Sequence, residues 1–186
     1  MLKTSVLLTL LLGSPAAAGE LDLNFGLQGT HTAWSGDAGG GPTLQVGWWF
    51  TDWVGASFVG KEHYAQIDDR YMSYYSLNLT LRHEAGPVWL GASLGFVHQH
   101  EETMEAIERQ PVASLFGVAD GMRHRMAART GFQLAVPIAK LHRGDMYLAL
   151  DIDGTYFGEE ERGPLWMQSV GISLGVTREF SSKKGK

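Results

Sequence analysis

Apolar and polar residues alternate along most of the chain with a period of two. In the segment 21–28, Leu21, Leu23, Phe25 and Leu27 alternate with polar or small residues, and seven later segments repeat this pattern. Successive side chains of a β-strand point to opposite faces, so a period of two predicts strands, and eight repeats indicate a sheet more strongly than any one segment. The predicted strands are centred on residues 21–28, 43–50, 54–58, 75–82, 88–96, 126–136, 146–153 and 166–177.

The connections between these segments alternate between short and long. Transmembrane barrels have short turns on the periplasmic side and longer loops outside. With both termini on the periplasmic side, eight strands require three turns and four loops, which is the number found. We therefore predict an all-β fold, an eight-stranded antiparallel up-and-down transmembrane β-barrel. The predicted loops are 34–41, 63–70, 98–121 and 158–164.

The alternation does not say which face points inward, so a soluble barrel of the lipocalin or streptavidin type is the alternative. Its polar face would carry mainly Lys, Glu and Asp, whereas most polar positions here hold Gly, Ser, Thr, Asn or Gln. Such residues suit the narrow lumen of an eight-stranded barrel, which side chains just fill. The few charged residues at polar positions are expected to pair inside it, because unpaired buried charge is costly. They are Asp22, Arg82, Arg129, Asp151 and Asp153.

Aromatic residues cluster near both ends of the predicted strands. Transmembrane barrels carry aromatic girdles at both interfaces, which favours the membrane barrel. Near the short connections lie Trp49, Phe50, Trp53, Trp89, Tyr147 and Phe180, and near the long ones lie Trp34, Tyr64, Tyr71, Tyr74, Tyr156, Phe157 and Trp166.

The first 18 residues have the organisation of a secretory signal peptide. Lys3 precedes an apolar run from Val6 to Leu12, and the sequence 16–18 fits an A-x-A cleavage site. The run is shorter than the roughly 20 residues of a spanning helix. We expect residues 1–18 to be a removed signal peptide, 19–180 the barrel and 181–186 a polar tail, with the protein exported to the outer membrane of a Gram-negative-type cell.

Composition excludes several classes of function. Glycine makes up 24 of the 186 residues and cysteine is absent. The chain therefore has no disulfide scaffold, thiolate zinc site or cysteine nucleophile. The net charge is −5 and the only basic cluster lies in the last residues, which argues against nucleic-acid binding. We predict no cofactor.

Residues 21–180 resemble the small outer-membrane β-barrels of the OmpA/OmpX type. Such families end in a strand that closes on an aromatic residue and is read by the outer-membrane assembly machinery. The stretch 173–180 is similar to that signal, with Gly175 and a final Phe180, but Arg178 replaces the usual hydrophobic residue and a tail follows. The resemblance implies outer-membrane lipid, lipopolysaccharide and the assembly machinery as partners.

Five of the seven histidines fall near the long connections. His98 and His100 share one strand face, a spacing that can bring two imidazoles to one zinc or copper ion. The other interpretation is that histidine is common at polar strand ends and that the five rings stay apart. We favour the second, because no H-x-x-x-H or H-E-x-x-H framework is present. The five are His31, His63, His98, His100 and His124.

An outer-leaflet enzyme that hydrolyses or transfers acyl chains of lipid A is a further alternative. It would need a serine, a histidine and an acid within hydrogen-bond reach. Because the compact His-Ser pair of the deacylase family is not found, we favour a structural or surface-interaction role through the loops. The candidates for the enzyme are Ser35, Ser73, His63, His98, Glu62 and Asp37.

The long connection 98–121 has two possible structures. Residues 101–110 are good helix formers, with Met104 and Ile107 three positions apart and Pro111 expected to end the helix. Such a helix could cover the barrel mouth or dock a partner. Alternatively, two strands extend above the membrane, and we favour this second structure.

Overall fold

Eight antiparallel strands close into one barrel in sequence order, with β8 pairing back to β1. The computed structural model describes residues 19–33, 35–66, 69–115, 117–160 and 163–180. The predicted signal peptide and polar tail lie outside these residues, and no helix within them is long and apolar enough to span a membrane. The strands are β1 (Gly19–Thr32), β2 (Asp37–Trp49), β3 (Val54–Ala65), β4 (Arg70–Ala85), β5 (Val88–Thr103), β6 (Arg123–Leu141), β7 (Gly144–Glu160) and β8 (Gly163–Phe180).

The barrel is polar inside and apolar outside. Along β1, Asp22 and Asn24 are buried, whereas Leu23, Phe25 and Leu27 are 45–62% exposed. The other strands repeat this arrangement and form an apolar belt around the barrel. An exposed apolar surface that continues around the whole barrel is typical of a surface that contacts lipid. The predicted membrane-barrel fold is therefore confirmed, and the soluble barrel, which needs the opposite arrangement, is excluded.

The strands are longer than the sequence pattern predicted, and the loops are correspondingly shorter. Residues 39–41, which we assigned to the first loop, lie within β2 and pair with β1. A Cβ on Gly39 would overlap the carbonyl oxygen of Tyr64, and one on Gly41 would overlap that of Glu62. Glycine therefore allows β2 to approach β3 closely at this point, and does not mark a loop.

The third connection contains two short helices, α1 (Met104–Arg109) and α2 (Pro111–Leu115). β5 and β6 extend beyond their predicted ends, as the favoured interpretation of this connection requires. The helix of the alternative interpretation is also present. Thr103 caps α1 by accepting a hydrogen bond from the backbone N–H of Ala106 at 3.2 Å. Pro111 opens a second helix, because proline is favoured at a first helical position, where its missing N–H is not needed.

Five aromatic residues assigned to the girdles point into the lumen instead, including Phe157, which packs on the buried cluster around Tyr74. Trp49, Tyr74 and Tyr147 are at most 7% exposed, and Trp89 packs on Tyr147 with ring centroids 5.5 Å apart. The girdle prediction rests on the distance of these residues from the strand ends. Their odd or even positions along each strand assign them to the inner face. Outward-facing aromatic pairs remain at both ends, Trp48 with Phe180 at 5.6 Å and Tyr156 with Trp166 at 4.9 Å.

Gly175 makes room for Tyr147, which lies directly opposite on β7. A Cβ at this position would overlap the Tyr147 ring. Because overpacking forces side chains from their preferred rotamers, Gly175→Ala should lower the free energy of unfolding by about 1–3 kcal/mol. Denaturant unfolding of the folded protein in micelles measures the change.

The matched control is Gly29→Ala on the outer face of β1. Its added Cβ would meet no atom closer than 3.9 Å, so a change within about 0.5 kcal/mol is expected. Equal destabilisation by the two substitutions would contradict the packing role of Gly175.

Candidate functional site

The turn end of the lumen is filled by a connected set of polar and aromatic side chains. Asp22 accepts hydrogen bonds from the Tyr147 hydroxyl at 2.6 Å and from the Trp49 indole at 3.3 Å. Arg82 pairs with Glu20 at 2.6 Å, and its guanidinium lies 4.3 Å from the Trp49 ring centroid. Strand alternation turns all five side chains inward, so this end of the lumen is packed.

The middle of the lumen is crossed by buried ion pairs. Lys61 on β3 pairs with Asp153 on β7, and these side chains are 5% and 3% exposed. Arg129 on β6 lies 3.5 Å from the same carboxylate and donates to the amide oxygen of Asn78 at 3.1 Å. Side chains from opposite walls thus meet across the barrel axis.

Asp151, the remaining residue of the predicted lumen set, bonds to neutral groups. It accepts from Gln133 at 2.8 Å and from Ser173 at 2.7 Å. The prediction omitted other charged lumen residues, among them Lys61, Glu20 and Glu101. These residues occupy inward positions, so continuing the alternation beyond the predicted strand ends would have found them. At the loop end, Glu101 lies within 3.2–3.7 Å of Arg70, Arg123 and Arg125.

Three of the five candidate histidines converge on the outer wall at the loop end. His98 and His100 lie two positions apart on β5, so they share its outer face, and His124 on β6 lies directly opposite His100. The Nε2 atoms of His98 and His100 are 2.8 Å apart, and His124 Nδ1 is 3.5 Å from His98 Nε2. The expectation that the histidines stay apart is therefore wrong for these three, which we call the histidine triad.

The other two candidate histidines lie elsewhere. His31 is exposed near the end of β1. His63 is 2% exposed inside the lumen, and within the part of the chain that the structure describes neither of its ring nitrogens has a hydrogen-bond partner. Within the triad, which lies beyond the apolar belt, burial lowers the pKa of His100 below its ordinary value, and the neighbouring His98 and His124 lower it further.

A cavity of about 490 Å³ adjoins the triad on the outer wall. Outward-facing side chains of β3, β4 and β5 form its floor, and the connection that contains α1 and α2 covers it. The close packing of Gly117 against the His100 ring holds the connection near the triad. The floor consists of Glu62, Tyr71, Ser73, Tyr75, His100 and Glu102, and the cover includes Ile107, Pro111 and Met122.

Two carboxylates give this outer-wall cavity its charge. Glu102 is only 5% exposed, and its Oε1 has no hydrogen-bond partner among the described residues. Glu62 accepts a hydrogen bond from Ser73 at 2.8 Å. Burial, and then the charge of Glu62 and a hydrogen bond to it, raise the pKa of Tyr71 to about 12. The described residues that line the cavity include no lysine or arginine, so it favours a positively charged occupant.

The serines considered for an enzyme have other partners. Ser73 donates to Glu62 at 2.8 Å, and the Ser35 hydroxyl is 2.7 Å from that of Thr32. His98 contacts His100 and Met126. These contacts do not form the serine–histidine–acid arrangement that acyl transfer requires.

Comparison with known proteins identifies the fold. No protein-family model matches the chain, and no curated protein matches it in sequence. Neisserial surface protein A is similar in structure, with a TM-score of 0.56, 12% identity and coverage of 87% of this chain and 97% of that one. The N-terminal β-barrel domain of OprF from Pseudomonas aeruginosa has a TM-score of 0.53, 17% identity and coverage of 84% and 98%. OprG from the same organism has a TM-score of 0.51, 9% identity and coverage of 90% and 99%.

These similar structures are eight-stranded outer-membrane barrels. Together with the polar lumen and the apolar belt, they define the class: the chain has the fold of a small eight-stranded outer-membrane β-barrel.

The buried ion pair of Asp153 yields a stability prediction. Asp153→Asn leaves Lys61 and Arg129 buried without their shared countercharge, and breaking a buried pair costs about 3–5 kcal/mol. The free energy of unfolding in micelles should fall by that amount. Asp145→Asn is the control, because its partner Lys140 has an 83% exposed side chain and exposed pairs contribute about 1 kcal/mol or less. Similar losses in both variants would argue against a lumen held by the central ion pairs.

Proposed function

We propose that the protein is an exported, non-conducting barrel of the outer membrane that acts by binding at its loop end. The observation that carries this proposal is the buried Glu102 carboxylate, with one unpartnered oxygen in the outer-wall cavity. The signal-peptide pattern and the similar outer-membrane structures support the location. Outer-membrane lipid, lipopolysaccharide and the assembly machinery are the partners that this location implies.

A transport role through the lumen is disfavoured by its contents. Eight strands leave an interior that side chains just fill. Here Lys61, Asp153 and Arg129 meet across that interior, and Tyr74 reaches Thr155 from the opposite wall. A solute would have to break several buried charged contacts in order to pass.

The cavity chemistry favours a small cationic ligand, such as an alkylammonium group. A buried carboxylate without a partner is costly, and a bound cation would offset that cost. Tyr71 and Tyr75 also line the cavity, and an aromatic ring attracts a cation that lies over its face through its quadrupole. Such a group could belong to a free amine or to an amine-bearing lipid headgroup, since the cavity lies next to the apolar belt.

The absence of conduction is tested in planar lipid bilayers. The wild-type protein is expected to insert without producing reproducible conductance steps, because its lumen is packed. The double variant Lys61→Ala/Arg129→Ala removes two of the crossing side chains and should admit ions more readily. Reproducible open channels in the wild type, equal to those of the variant, would contradict the proposal.

Ligand binding is tested by saturation-transfer NMR with ethylammonium and tetramethylammonium in micelles. Glu102→Gln should weaken binding at least tenfold, since losing one partner of a buried charge pair costs about 2–5 kcal/mol. The control is Glu105→Gln on α1, whose side chain is 77% exposed and does not line the cavity. Vesicles with and without phosphatidylethanolamine distinguish a headgroup from a free amine. Equal affinity of both variants, or equal binding of acetate, would refute the proposed ligand class.

A further inference from the structure

Regular sheet geometry brings the histidine triad together. His98 and His100 are two positions apart on β5, so their side chains leave the same face of the sheet. His124 is the cross-strand neighbour of His100, and directly opposite side chains have Cβ atoms about 4.5–5.5 Å apart. The three rings are therefore held by paired strands and not by a loop, and rigid elements give the more precise binding sites.

The nitrogen positions match the dimensions of a metal site. With Zn–N bonds of about 2.0–2.1 Å and tetrahedral angles, two imidazole nitrogens on one ion lie about 3.3 Å apart. In the triad, His98 Nε2 is 2.8 Å from His100 Nε2 and 3.5 Å from His124 Nδ1. All three ligand atoms lie within 4.8 Å of one another. Small side-chain rotations would therefore place all three on one ion.

We infer that His98, His100 and His124 bind one divalent transition-metal ion of the kind that imidazole prefers, Zn²⁺ or Cu²⁺. Imidazole nitrogen suits both ions, whereas Mg²⁺ and Ca²⁺ prefer oxygen ligands. Three histidines leave a fourth coordination position for water or another donor. This site goes beyond the proposed amine binding and does not depend on it.

The surrounding charges are compatible with a bound cation. Arg123 and Arg125 flank His124 in sequence, but their guanidiniums contact Glu101 on the lumen side, at 3.7 and 3.5 Å. On the outer wall, His100 lines the same cavity as Glu62 and Glu102. The charged residues that line the cavity beside the triad are therefore negative.

The inference is tested with the mature chain produced without a polyhistidine tag and folded in micelles. Isothermal titration calorimetry with Zn²⁺ should show one saturable site per chain. Electron paramagnetic resonance of the Cu²⁺-loaded protein should show coupling to imidazole nitrogen. His98→Gln, His100→Gln and His124→Gln should each weaken Zn²⁺ binding by more than about tenfold. Changes to residues that only support the ligands already weaken metal binding about 10–100-fold, and loss of a ligand itself should cost at least as much.

His31→Gln is the matched control, an exposed histidine outside the triad, and it should bind Zn²⁺ as the wild type does. The triad side chains lie on the outer face, so their replacement leaves the lumen packing intact. A change in electrophoretic mobility on heating confirms that each variant is folded. Absence of a saturable site in the wild type, or wild-type affinity in all three triad variants, would overturn the inference.

Discussion

The closure of β8 onto β1 is the constraint on which the rest of the structure depends. In lipid, a backbone N–H or C=O that lacks a partner costs several kcal/mol, so a sheet can cross the membrane only as a closed barrel. Pairing of Gly19 through Thr32 with Phe180 through Met167 removes both edges. Closure at eight strands also makes the interior narrow, and this narrowness limits the size and charge of the side chain that each inward position can hold.

A narrow interior must be packed, and its polar groups need partners. Glycine solves part of the packing problem where a large side chain crosses, as Gly175 does beneath Tyr147. Charge is accommodated by pairing across the axis, as between Lys61 and Asp153. Because the lumen is occupied in this way, the binding that we propose lies on the outer wall. There β5 and β6 present the triad, and the connection between them covers an acidic cavity.

The strands and their inward faces could be predicted from the sequence because a period of two is a local property. The same alternation predicts inward positions for Asp22 and Arg129, which the structure buries, and it predicts inward positions for Trp49 and Tyr147 as well. Those two were misassigned because closeness to a strand end was given more weight than parity. Residues 39–41 were misassigned because their three glycines show no alternation of apolar and polar side chains, and only the position of β3 shows why glycine is needed there.

The triad could not be predicted in the same way. The proximity of His100 and His124 depends on the register between β5 and β6. A connection as long as 104–122 does not determine that register, which is set by pairing around the whole barrel. The cavity depends in addition on how the connection folds back over the wall. Strand parity is local information, whereas both of these features require the closed structure.

The most direct test of the account is a site-directed spin-label scan along β4 in lipid bilayers. The chain contains no cysteine, so single cysteines can be introduced one at a time without a background label. Accessibility to oxygen, which concentrates in lipid, should alternate with a period of two. We expect high oxygen accessibility at Tyr75, Leu77, Leu79 and Leu81, and low accessibility to both oxygen and a water-soluble nickel complex at Ser76, Asn78 and Thr80. The reverse alternation, or nickel accessibility along the inward set, would contradict a lipid-facing apolar wall around a packed lumen.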